Sequence, residues 1–145
     1  METMVAKYAA MKTNPDTGKP FKVIFVLFEN LVQASYNNKE AVNEAIYSPD
    51  LLIIDNLGSE TGMNSDSKYN VRLLERIIRT RDNSEVPTII SSNFNMDEIQ
   101  KYYGDAIRDL IEKNSEIISV TGQNLRQQVA DQNSLIDTWG DFNND

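Results

Sequence analysis

Four polar side chains stand where the pattern of the chain can put them to chemical use: Asp55, Glu60, Asn93 and Arg108. Asp55 closes the run Leu51-Leu52-Ile53-Ile54. A short unbroken apolar run reads as a strand buried on both faces. A carboxylate at the carboxyl end of such a strand sits where ligands bind in open α/β sheets. The plainer alternative is that Asp55 caps the turn that follows. Asn93 ends a second β-prone run, Val86–Ser92. If the two strands are parallel, Asp55 and Asn93 share one sheet edge, the edge that receives phosphates. Asn93 also suits a turn or a helix cap. Glu60 follows Asp55 by a few residues, beyond Gly58. Arg108 falls in a later helical stretch, where it can reach a neighbour or a phosphate, or simply face water.

The elements that must position these residues alternate in type. Glu2–Met11 has helical spacing, and Thr13–Pro20 is dense in turn formers. Phe21–Phe28 reads as a strand. Helices are predicted at Glu29–Tyr36 and Lys39–Tyr47, and Pro49 opens the Asp55 strand. Gly58–Ser67 reads as a loop. Tyr69–Arg81 is an amphipathic helix with Val71, Leu74, Ile77 and Ile78 as its apolar stripe. Its arginines Arg72, Arg76, Arg79 and Arg81 read as a solvated face, or a small basic patch near DNA. After the Val86–Ser92 strand, Asn95 suits an N-cap for a helix over Met96–Tyr103, with Asp97 and Glu98 in its first turn. Tyr102 and Tyr103 read as packing residues. Gly104 separates a further helix, Asp105–Lys113. Glu116–Thr121 reads as a fourth strand, and Arg126–Asp137 as one weak helix. Alternation of this kind predicts βαβ units and a mostly parallel sheet with helices on both faces. The chain reads as a core over 1–122 and a polar tail over 123–145.

Composition narrows the chemistry. The chain has 145 residues, enough for one domain with a real core. It contains neither Cys nor His, which removes disulfides, thiol nucleophiles and imidazole acid–base chemistry. With 22 acids and 14 bases the formal charge is −8, which argues against strong standalone binding to nucleic acid or anionic membrane. No apolar run approaches the roughly 20 residues of a membrane span. No basic stretch followed by an apolar block marks a signal peptide, so a cytoplasmic protein is expected.

Three segments together carry a resemblance: LLIIDNLGSE, then YNVRLLERIIRTRDNSEVPTIISSNFNMDEI, then YYGDAIRDLI. In this order they resemble the AAA+ helicase loaders of the DnaC/DnaI type and the related IstB-like transposition helpers, from Phe21 to about Arg126. The resemblance implies a three-layer P-loop NTPase fold with ATP and Mg²⁺ as ligands. Asp55 then matches the Walker B acid that contacts Mg²⁺, and Asn93 the sensor residue at the γ-phosphate or the attacking water. Glu60 matches an acid that often follows the "LG" of these loaders. The implied activity is delivery of a replicative DNA helicase to single-stranded DNA, with self-association through ATPase interfaces. The alternatives are a transposition helper ATPase, and a non-catalytic interaction module derived from the fold.

The departures are specific. The family places a second acid after the Walker B aspartate; here Asn56 stands there, and an amide is not a general base. Ala106 and Leu110 occupy usual arginine positions, leaving Arg108 between them. No G-x-x-x-x-G-K-[ST] segment occurs; Thr17-Gly18-Lys19-Pro20 lacks its first Gly and has Pro20 where the hydroxyl should be. Met1–Met11 matches the helix after a P-loop, so the sequence reads as a loader lacking the first strand and Walker A. A sheet without that strand is expected to be less stable alone, or rearranged to close the gap.

Overall fold

The computed structural model describes residues 7–62 and 67–120. The chain divides into two units, Met1–Ser115 and Glu116–Asp145. In the first, residues 7–10 are helical and the loop over 11–20 closes on itself through a bridge between Thr13 and Pro20. Asn14 organises this loop. Its side-chain oxygen accepts from the Asp16 and Thr17 N–H groups, and its amide donates to Asp50 at 2.6 Å.

Three parallel strands follow, in sheet order β1-β2-β3. They are β1 (Val23–Leu27), β2 (Leu51–Leu57) and β3 (Thr88–Ser92). Helices α1 (Phe28–Asn37) and α2 (Lys39–Tyr47) join β1 to β2. A 3₁₀ turn over Ser59–Gly62 and helix α3 (Ser67–Asn83) join β2 to β3. Helices α4 (Met96–Tyr103) and α5 (Asp105–Asn114) come after β3. The result is the expected α/β class, three parallel strands with helices on both sides.

The unbroken run Leu51–Ile54 is buried as its composition requires, because β2 is the central strand. Leu52 and Ile54 join the main core with Phe28, Ile46, Leu74, Ile77 and Ile107. On the opposite face Phe25, Ile53 and Ile89 lie side by side in register. There Ile53 is fully buried, while Phe25 and Ile89 remain 42% and 36% exposed. The Asn95 cap forms as expected: its side chain accepts from the Glu98 N–H, and Glu98 accepts from the Asn95 N–H.

Two expectations fail. The fourth strand is not formed: residues 116–120 are neither helical nor paired among the described residues, and Thr121 lies outside them. β-Branched composition favours a strand, but only a paired neighbour makes one. Arg81 is not on a solvated face. It is 1% exposed, on the same stripe as Leu74, Ile77 and Ile78. Its guanidinium donates to the carbonyls of Ile46, Pro49 and Pro87, and its Nε–H to Thr88 Oγ1 at 2.8 Å. Burial lowers its pKa and Asp50 opposes that shift. This knot ties the end of α2 to the entrances of β2 and β3. Arg76 and Arg79 are exposed as expected, bonded to Asn43 and Glu75. The weak helix at Arg126–Asp137 falls outside the described residues.

Candidate functional site at the carboxyl edge of the sheet

Parallel pairing brings Asp55 and Asn93 to one edge. Ile54 is in register with Ile90, and Leu57 with Ser92, so Asp55 stands beside Ser91 and Asn93 is the first residue past β3. Between Ile54 and Leu57 the register shifts. A bulge there bends the strand and re-aims its side chains. Asn56 takes up the distortion with φ +61°, a left-handed conformation that Asn tolerates better than most residues.

Ser91 is the organiser of this edge, and motif reading missed it. Its hydroxyl donates a short hydrogen bond to Asp55 Oδ1 and accepts from the Asn56 N–H at 3.2 Å. Asp55 is thereby held with Oδ2 unbonded among the described residues. Ser92 ties the next turn: its hydroxyl donates to the Leu57 carbonyl at 2.7 Å and accepts from the Phe94 N–H at 3.0 Å. Asn93 itself is exposed, and its side chain makes no hydrogen bond among the described residues. The signal for Ser91 was available in principle. Residues 89 and 91 alternate onto the same face as 53 and 55 once the register is known.

Glu60 is placed elsewhere. It is 1% exposed, accepting from the Gly58 N–H at 3.0 Å and, in a short contact, from the Tyr103 hydroxyl. It faces the end of α4 rather than the open edge. Burial and the Glu60 carboxylate push the Tyr103 pKa well above the ordinary tyrosine range, so the hydroxyl stays a donor. Arg108 is engaged on its own surface, with Asp97 at 3.0 Å, Glu112 at 2.9 Å and Gln100 at 2.6 Å. The bonds to Glu112 and Asp97 raise its pKa. It holds α4 to α5 and is not brought to Asp55. A cleft of about 330 Å³ opens beside Tyr103, lined by Ser67, Lys68, Val71, Arg72 and Tyr102.

Asp55 fits one kind of cation. Among the described residues no three carboxylates converge into a metal cage. Mg²⁺, however, is usually held by one or two carboxylates, with phosphate oxygens and waters completing its shell. A single aspartate at a sheet edge with one free oxygen suits that role. The described residues provide no glycine-rich cradle for the phosphates.

No family model matches the chain. Over 75 residues it is 32% identical to the replicative helicase loader DnaC of Escherichia coli K12, and equally to that of Shigella flexneri. The match covers 52% of this chain and 29% of each relative. Over that segment the chain is similar to the DnaC helicase loaders.

Solved structures agree on the fold. A DNA replication initiation factor superposes with a TM-score of 0.56 at 18% identity, over 78% of this chain and 35% of that one. The replication initiator DnaA, bound to AMPPCP and single-stranded DNA, gives 0.54 at 20% identity, over 70% and 32%. The chain thus has the P-loop NTPase type of α/β fold and matches less than a third of its curated relatives' length. None of its described helices is long and apolar enough to cross a membrane.

Proposed function

We propose that this chain carries part of the nucleotide site of a helicase-loader ATPase. The observation that carries the reading is the pairing at the sheet edge: an oriented Asp55 with one free oxygen, one strand from an exposed, unbonded Asn93. Asp55 would hold Mg²⁺, which neutralises phosphate charge when bound. The Asn93 amide would meet the terminal phosphate or orient the attacking water. Ser91 keeps Asp55 aimed. In this reading the site serves delivery of a replicative helicase to single-stranded DNA, in the cytoplasm, with copies associating through their ATPase faces. A transposition helper would use the same edge with a different partner.

Asn56 limits the chemistry. The amide cannot take a proton from water, and its backbone is committed to a left-handed turn bonded to Ser91. Turnover is therefore expected to be slow where binding occurs. The test is Mg²⁺-dependent ATP affinity of the chain fused behind a P-loop segment of a DnaC relative. Wild type should bind, and Asp55→Ala should lose at least about tenfold, one good charge-assisted contact. No Mg²⁺-dependent affinity in the fusion would overturn the reading. It would favour the second one, a non-catalytic interaction module, for which Asn56 is the motivating residue.

A further inference from the structure

Past Asp55 the chain is tied to α4 by two routes, one through Phe94 just before the helix and one directly through Glu60. Gly58, with φ +108°, passes so close to Phe94 that a Cβ there would lie 2.7 Å from the ring. Phe94 stacks on Tyr102, with ring centroids 4.9 Å apart. Tyr103, the last residue of α4 and 4% exposed, donates to the buried Glu60, which also accepts from the Gly58 N–H. These contacts form a closed circuit from the Asp55 loop, through Phe94 and Tyr102, to the end of α4 and back through Tyr103 and Glu60. The circuit ends where Gly104, at φ +88°, breaks α4 from α5. A carboxylate removed from water this completely is costly unless its hydrogen bonds are fixed in place. One bond reaches back two residues to Gly58 and another reaches Tyr103, 43 residues on, so the carboxylate ties the loop to the helix joint.

We propose that the Glu60–Tyr103 pair is a positioning device: it clamps the loop that carries Asp55 to the α4–α5 joint, so that a displacement of the joint moves the Asp55 carboxylate. The pair acts through the loop, by way of the Gly58 N–H that Glu60 also accepts from. The metal contact that Asp55 makes rests on the proposed function; the clamp itself does not.

The test is native-state amide exchange on Tyr103→Phe, which removes the hydroxyl and leaves the ring. The reporter is the Asn56 N–H, which bonds Ser91 rather than Glu60. The control is Ile107→Val, a core change in α5 that lowers the melting temperature without touching the clamp. In Tyr103→Phe, exchange at Asn56 should rise at least about tenfold beyond the change at core amides of β2, the mark of a local opening. In Ile107→Val it should follow the global change. Exchange at Asn56 that rises no more in Tyr103→Phe than in the control overturns the clamp. Line broadening by Mn²⁺ is read on the same samples. Broadening centred on Asp55 and Asn56 that needs more Mn²⁺ in Tyr103→Phe supports positioning, and equal dependence in both chains overturns it. No broadening at Asp55 in wild type overturns the metal reading, and the exchange data still judge the clamp. Should Tyr103→Phe not fold, Glu60→Gln, which keeps the volume and an acceptor oxygen, is measured by the same criteria.

Discussion

Replacing Arg81 with methionine tests whether the amino end of the sheet is held by one side chain. Five hydrogen bonds leave the guanidinium, at 2.8 to 3.2 Å, and four of them end on backbone carbonyls. Methionine fills much of the space and donates nothing. The carbonyls of Ile46, Pro49 and Pro87 then lose donors, and each buried acceptor left short costs about 1–3 kcal/mol. Part is recovered, because the guanidinium no longer has to be desolvated, the cost visible in its lowered pKa. The net expectation is a loss of about 3–5 kcal/mol, the range for breaking a buried charged network. At roughly 2–4 °C per kcal/mol for a chain of this size, melting should fall by about 6–20 °C. Urea denaturation followed by circular dichroism gives the free energy directly. Arg81→Lys should lose nearly as much, because an ammonium cannot reproduce the planar fork. A change below about 1 kcal/mol in Arg81→Met, the value for a solvated arginine, would refute the reasoning.

The remaining predictions concern the other end of the molecule. Gly58→Ala should cost about 2–4 kcal/mol, from overpacking on Phe94 and a left-handed φ together; Gly58→Ala with Phe94→Leu should recover part, read by denaturation. Asn56→Asp should raise ATP turnover in the P-loop fusion, and an unchanged rate would remove the account of position 56. Arg108→Ala should leave that turnover unaltered, since its ion pairs lie on its own helices; a large loss would mean that it acts across an interface. Because the folded pKa of Tyr103 is raised above the ordinary value of 10.0, its contribution is present below that pH and is lost as pH rises through the folded value. Wild-type stability should therefore fall above about pH 10 more steeply than that of Tyr103→Phe, measured by melting at fixed ionic strength.

Local pattern carried most of the fold. The helix over Met96–Tyr103 and the one over Lys39–Tyr47 have the boundaries their caps and periodicity predict. The β2 run declared itself buried by being apolar without a break. What the sequence hid depends on contacts far apart along the chain. Ser91 bonds Asp55 across 36 residues and Tyr103 bonds Glu60 across 43, and no spacing rule pairs them. Arg81 was half legible. Residues 74, 77, 78 and 81 fall on one helical stripe, and an arginine continuing an apolar stripe marks a buried polar knot. Its charge type outweighed its position. Glu116–Thr121 misled for the converse reason, since composition states a preference that only a neighbouring strand fulfils.

The Arg81 knot also bears on where the chain can change. It fastens strand entrances at the opposite end of the sheet from Asp55 and Asn93, using carbonyls that any sequence supplies. An exposed position at the carboxyl edge, such as Asn93, can therefore change without loosening this fastening. In this molecule the fastening lies at one end of the sheet and the candidate chemistry at the other.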